Sequence, residues 1–159
     1  MKKFLLAFAL SCPVILTNCA AGNPQTASVP AGPDANLTKV SIYLLDIAKA
    51  TGSVQTSIIS ANQQKLVSDA NTTTVLNICS KTNTFVSQAS VITRGQVSLP
   101  AAQRAQLSTL LNPIISAFTT DMNNGLLGIT DPNTKTTISA SLLLVQTALV
   151  GIQSIVGSN

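Results

Sequence analysis

The sequence predicts an all-α protein, an antiparallel four-helix bundle behind a signal peptide and a flexible tether. Apolar residues recur in steps of three and four along four segments, and residues that favour helix ends separate these segments. The length of 159 residues suits one domain. We divide the chain into a signal peptide (1–18), a tether (19–36) and a bundle domain (37–159).

The first eighteen residues have the pattern of a secretory signal peptide. Lys2 and Lys3 form a short positive region, and the mainly apolar stretch 4–16, FLLAFALSCPVIL, follows them. A stretch of this length is too short to cross a bilayer as a stable helix, because a span needs about 20 apolar residues. The sequence therefore predicts export from the cytoplasm.

The residues Leu16-Thr17-Asn18-Cys19 close this segment. They resemble the lipobox of bacterial lipoproteins, in which a leucine stands three residues before the lipidated cysteine. The resemblance covers residues 1 to about 22, and Asn18 departs from the Gly, Ala or Ser usual at its position. It implies a lipid on Cys19 and, since Ala20 rather than Asp follows, an outer-membrane anchor facing the periplasm of a Gram-negative cell.

Three other interpretations of the N-terminus remain open. Cys12 is a competing attachment site, although its apolar stretch is shorter and Pro13 follows it. An ordinary signal peptide would be cut after Ala21, which would make the protein secreted. An uncleaved membrane anchor is the remaining alternative.

The segment 19–36 has the composition of a spacer. Pro24, Pro30 and Pro33 interrupt it, and Val29 is its single large apolar residue. Such a segment cannot bury a core, so it predicts an extended or disordered tether between the anchor and the folded domain.

Four amphipathic segments of about 20–25 residues follow, joined by short connections, which predicts the bundle. The first stripe comprises Leu37, Val40, Leu44, Ile47, Thr51, Val54 and Ile58. The second comprises Val75, Ile78, Thr82, Phe85, Ala89 and Ile92. The third comprises Leu107, Leu111, Ile114, Phe118 and Met122, and the fourth comprises Ile138, Leu142, Val145, Leu149, Ile152 and Val156.

Residues between the stripes predict the helix ends. Ser68 can cap the second helix, and Thr130 or Asp131 can cap the fourth, with Pro132 in its first turn. Gly95 can end the second helix. The third stripe continues through Pro113, so we expect a kink there rather than a break.

Two similar stretches hint at a duplicated helical hairpin. SDANTTT (68–74) and TDPNTKT (130–136) agree at four of seven positions. Capping residues recruited twice would give the same similarity, so both explanations stay open.

The fourth segment, ISASLLLVQTALVGIQSIV (138–156), has nineteen residues without a charge, which is near the length of a membrane span. Gln146, Gln153 and several Ser and Thr interrupt it. A bundle-core helix and a membrane-inserting helix are both consistent with this pattern, and we favour the core helix.

The residue inventory is poor in catalytic groups. The chain has no His and no Glu, and its five Asp are scattered, which excludes His-dependent triads and the common zinc sites. We expect no enzyme activity, cofactor or metal. We expect Cys79 to be a buried, inert thiol, and Asp46 and Asp121 to be solvated or paired with lysines.

The charge gives no sign of nucleic-acid binding. Without residues 1–18 the chain keeps seven of its nine basic residues and all five acidic ones, so its charge falls from +4 to about +2. The sequence thus predicts a small, non-catalytic, lipid-anchored bundle of the cell envelope that binds or organises an unknown partner. Two alternatives are a membrane-active, pore-forming or toxin-like protein and a secreted carrier of a small apolar ligand.

Overall fold

The computed structural model describes residues 32–157, apart from the side chains of residues 125 and 127. Four helices account for nearly all of this range: α1 (Ala35–Gln63), α2 (Asp69–Thr93), α3 (Ala101–Leu127) and α4 (Pro132–Val156). Helices α2 and α4 have 25 residues, within the predicted 20–25, whereas α1 with 29 and α3 with 27 are longer. Helix α1 begins two residues before the predicted domain start. Residues 1–31, with Cys12 and Cys19, lie outside the described residues, as does most of the tether.

The helices form a four-membered ring in chain order. Each helix packs against the next, α4 closes the ring against α1, and within residues 32–157 the backbones of the diagonal pairs do not approach each other closely. Short connections then force neighbours to run antiparallel. Tyr43, near the start of α1, accordingly lies against Gly151, near the end of α4. The predicted all-α antiparallel bundle is confirmed.

The core follows the predicted stripes closely. All the stripe residues are buried except Ile92, Ile114 and Met122, which are half-buried. A fully buried Leu, Ile or Phe side chain contributes about 1.5–3 kcal/mol, so these stripes supply the main stabilising free energy. Every buried apolar side chain of residues 32–157 lies between Leu37 and Val156 and belongs to one cluster, so this range holds a continuous core.

Three side chains cap the starts of helices. Asp34 Oδ1 accepts a hydrogen bond from Leu37 N at 2.6 Å, and Asp131 Oδ2 accepts one from Thr134 N at 2.7 Å. Ser68 Oγ accepts one from Asn71 N at 3.3 Å. Each cap satisfies a backbone N–H that has no partner inside its helix. The predicted cap at Ser68 is confirmed, and Asp131 rather than Thr130 caps α4.

Asp34 also fastens the start of α1 to the loop 94–100. Its second oxygen accepts a hydrogen bond from Leu99 N at 3.2 Å, and its own backbone N–H donates to Val97 O at 2.9 Å. We call this end of the bundle, formed by the start of α1, the loop 94–100 and the end of α4, the entry end. The chain enters the domain there.

Proline and glycine act where the sequence predicts. Helix α2 ends at Thr93, and Gly95 adopts φ +74°, a backbone conformation that suits glycine. Helix α3 continues through Pro113. Proline has no N–H, so the carbonyl of Thr109 receives no helical hydrogen bond from that position.

Helices α2 and α4 correspond residue by residue at an offset of 63. Both have 25 residues, and their caps Ser68 and Asp131 stand at the same offset. The similar heptapeptides match at an offset of 62 instead. The structural correspondence therefore rests on the core and cap positions and not on the identical residues of the heptapeptides. Duplication of a helical hairpin stays a prediction.

Candidate functional site

A groove with a volume of about 490 Å³ lies between α1 and α4. Small side chains create it: Ala50 and Ser53 of α1 face Ser141 and Ala148 of α4. No large residue fills the space between the two helices here. The groove therefore follows from local sequence choice rather than from a gap between poorly matched helices.

The end of the groove nearest the entry end is closed by an aromatic ring. Tyr43 packs over Gly151, where an added Cβ would lie only 2.7 Å from ring atoms Cε2 and Cζ. A side chain at position 151 would push the ring away. Gly151 thus lets the ring approach the α4 backbone, and Tyr43 offers a hydroxyl beside an apolar wall.

The rim of the groove combines one apolar and two charged side chains. Leu144 is 63% exposed, and Asp46 and Lys49 line the opposite side on α1. Thr147 also lines it, but its hydroxyl donates to Leu143 O at 2.9 Å within α4. The groove has the shape and chemistry to bind an amphipathic group through Leu144 and the tyrosine ring, with both charges on the α1 side for a polar head.

Leu144 belongs to a wider apolar surface on the outside of α4. Leu143 is 59% exposed and Val150 is 49% exposed. Leu142, Leu143 and Leu144 are consecutive, and successive helical residues turn by about 100°, so they cannot all face the core. These three consecutive leucines are the sequence signal for an exposed apolar surface, which the buried stripe alone does not show.

Helix α4 is buried along one face, as predicted for a core helix, and membrane insertion stays a prediction. Its stripe is buried in the core as expected, from Ile138 to Val156. It is also the one helix in residues 32–157 that is long and apolar enough to cross a membrane, and 33% of its most apolar stretch is buried. Core packing therefore uses one face and leaves the rest of an apolar helix outside.

The chemistry-bearing residues are dispersed. Among the described residues no three His, Cys, Asp or Glu side chains lie close enough to hold a metal ion. Asp121 pairs with Lys81 at 2.8 Å between α3 and α2, and Asp46 is exposed at the groove. Cys19, the predicted lipid attachment site, lies outside the described residues.

Cys79 is buried in the core, as the sequence predicts. Burial raises the pKa of its thiol from 9.0 to about 11. Because the thiolate is the nucleophilic form, this cysteine is held in its unreactive state at neutral pH. Its role is packing.

No family model matches the chain, no curated protein matches it, and no solved structure matches it.

Proposed function

We propose that this protein is a small, non-catalytic, lipid-anchored helical bundle of the cell envelope, and that the α1–α4 face is its binding surface. The observation that carries the proposal is the groove beside Leu144. It is the place where apolar side chains, an aromatic hydroxyl and both signs of charge meet on the surface. The lipobox resemblance at Cys19 supplies the anchor.

The dispersed polar chemistry supports binding rather than catalysis. A hydrolytic or transfer site needs a nucleophile and a base within hydrogen-bond reach of each other. The groove is lined by one carboxylate, one ammonium, one phenol and the hydroxyls of Ser53, Ser141 and Thr147. Among the described residues no hydrogen bond joins any two of these groups, and the Thr147 hydroxyl donates within α4. The α1–α4 face has groups that can bind a molecule, but it lacks a nucleophile held beside a base.

The anchor is tested by the intact mass of the protein purified from a Gram-negative host. We expect a chain that starts at Cys19 and carries a diacylglycerol and an acyl chain. The Cys19→Ala variant should lose this mass, and Cys12→Ala should keep it. A lipid-free chain starting at Gly22 would overturn the anchor and favour a secreted carrier of a small apolar ligand.

A second candidate function is a membrane-active protein in which α4 inserts into the bilayer. The exposed apolar part of α4 and its near-spanning length favour it. Insertion would require α4 to leave the core, and this exposes the buried stripe of the other three helices. Release of an encapsulated dye from liposomes by the lipid-free protein would support it, and intact liposomes would remove it.

A further inference from the structure

Large exposed apolar side chains are distributed unevenly along the bundle. Nine such residues lie in the described range, and two of them, Ile59 and Leu66, stand in the half away from the entry end. The other seven stand at the middle of the helices or nearer the entry end: Ile42, Leu45, Val91, Val97, Leu143, Leu144 and Val150. Scattered single apolar residues on a surface need no explanation, but their uneven distribution along the bundle does.

Three of the seven lie on the outside of α4, and we call them the entry patch. They are Leu143, Leu144 and Val150. The Tyr43–Gly151 contact gives the relative level of α1 and α4, so that Ala50 and Lys49 on α1 lie at the level of Leu144. At 1.5 Å per residue, the patch covers about 10 Å along α4.

Charge separates the two halves in the same direction. The entry half has four basic residues, Lys39, Lys49, Arg94 and Arg104, and two acidic ones, Asp34 and Asp46, giving +2. With Lys81 counted beside its partner Asp121, the far half has three basic and three acidic residues. The apolar half is therefore also the positive half.

The chain itself brings this half to a membrane if Cys19 carries a lipid. Fourteen residues lie between Cys19 and Asp34, and Asp34 is fastened to Val97 and Leu99 at the entry end. The fifteen Cα–Cα steps from Cys19 to Asp34 span at most about 50 Å even when fully extended. The chain therefore joins the anchored lipid to the bundle at the entry end.

We propose that the entry patch docks on the phospholipid surface, with its leucines and valine at the boundary of headgroups and acyl chains and Lys39 and Lys49 beside anionic headgroups. This inference rests on the proposed function, whose binding surface it assigns to lipid. A second membrane contact would add apolar insertion and charge attraction to the lipid anchor, and it would fix the orientation of the bundle. The bundle would then lie against the membrane rather than swing on its tether.

The test uses the chain from Ala20 onward, without the lipid, because it keeps the continuous core formed by residues 37–156. It is mixed with vesicles of phosphatidylethanolamine and phosphatidylglycerol and centrifuged through a density gradient. We expect the protein to float with the vesicles, and to float less at high salt. The variant Leu143→Ser with Val150→Ser should bind about tenfold less, because it removes apolar area from the patch.

The matched control is Ile59→Ser with Leu66→Ser, which removes comparable exposed side chains from the far half. We expect it to bind as the unmodified protein does, and circular dichroism checks that both variants are folded. Unmodified protein that stays with the buffer, or a control that loses binding equally, would overturn the inference. Release of a dye from the vesicles would also overturn it, because it would indicate that α4 inserts. A dimer that the patch variant abolishes would overturn it as well, because the patch would then contact a second copy of the chain.

The two proposals fail separately. The mass of the protein decides the anchor at Cys19, and the gradient uses a chain that has no anchor. A lipid-free mature protein that floats keeps the docking surface and loses the anchor. A lipidated protein whose domain does not float keeps the anchor and loses the docking surface.

Discussion

Helices α2 and α4 have the same length, the same type of cap and the same core positions, but different outer surfaces. At an offset of 63, Cys79, Thr82 and Ala89 correspond to Leu142, Val145 and Ile152, and all six are buried. On the outside, Ser80, Lys81 and Ser87 of α2 correspond to Leu143, Leu144 and Val150 of α4. All six of these are exposed.

The comparison separates what the fold requires from what it does not. Both helices occupy equivalent places in the ring, each between two neighbours, so the bundle needs the same inner pattern from each. It does not need leucines on the outside of α4, since α2 manages with serine and lysine. The leucines are a property of α4 that folding leaves unexplained, and this is why we assign them to binding.

A smaller difference in the core explains the groove. Phe85 of α2 corresponds to Ala148 of α4, and both are buried. The ring of Phe85 fills core space at its level, whereas the small side chain of Ala148 leaves space between α1 and α4. The same helix position therefore carries a large buried residue in α2 and a small residue beside the groove in α4.

The largest effect should come from neighbouring leucines of α4. Leu142 is 0% exposed, so Leu142→Ala should lower the free energy of unfolding by about 3 kcal/mol through lost burial and a cavity. Leu143→Ala should change it by less than about 0.5 kcal/mol. Urea unfolding followed by circular dichroism measures both, and equal losses would mean that the outer face of α4 is also packed.

Cys79, the α2 counterpart of Leu142, should show its burial in its reactivity. With a pKa of about 11 against 9.0 for an ordinary thiol, the thiolate fraction at pH 8 is about a hundredfold lower. We expect reaction with a thiol reagent to be slow in buffer and fast in urea. Stability from the protonated thiol is complete below pH 9 and is lost as the pH rises through about 11.

Rapid labelling of Cys79 in buffer would contradict this burial. A Cys79→Ser variant is the control for the alkaline range, because its hydroxyl does not titrate there. Its free energy of unfolding should fall less steeply between pH 9 and 11 than that of the unmodified protein.

The two caps should differ in their response to acid. Ser68→Ala should cost about 1 kcal/mol at any pH, because the serine hydroxyl does not titrate. The hydrogen bond from Thr134 lowers the pKa of Asp131 below 3.8, so its stabilising contribution is present above pH 3.8 and is lost as the pH falls through the lowered value.

Acid unfolding of Asp131→Asn beside the unmodified protein measures the difference between the caps. The variant should have a flatter dependence on pH in the acidic range, while Ser68→Ala keeps the slope of the unmodified protein. Parallel slopes for all three proteins would show that Asp131 does not act through its charge.

The smallest effect should come from the Lys81–Asp121 pair. Lys81 stands where α4 has Leu144, and its side chain is 54% exposed, so solvent weakens the pair. Lys81→Met should lower the free energy of unfolding by less than about 1 kcal/mol, with no effect left at high salt. A larger loss that persists in high salt would mean that the lysine stem, rather than its charge, packs against α3.

Sequence patterning predicted the bundle well because the core depends on periodic burial, which the apolar stripes report directly. It also predicted the buried Cys79 and the cap at Ser68, since these depend on neighbours along one helix. The groove was not predictable, because it depends on which residues of α1 and α4 face each other. That register is set by a contact between Tyr43 and Gly151, more than a hundred residues apart.

The fastening of Asp34 to the loop 94–100 has a mechanical consequence. A pull on the N-terminal chain would reach α1 first, and it would tend to peel that helix from the bundle one turn at a time. Because Asp34 hydrogen-bonds Leu99 N and Val97 O as well as its own helix, the pull is shared with the α2–α3 hairpin from the outset. Stretching single molecules from the N-terminus should show a lower unfolding force for Asp34→Ala, and an unchanged force would leave the load on α1 alone.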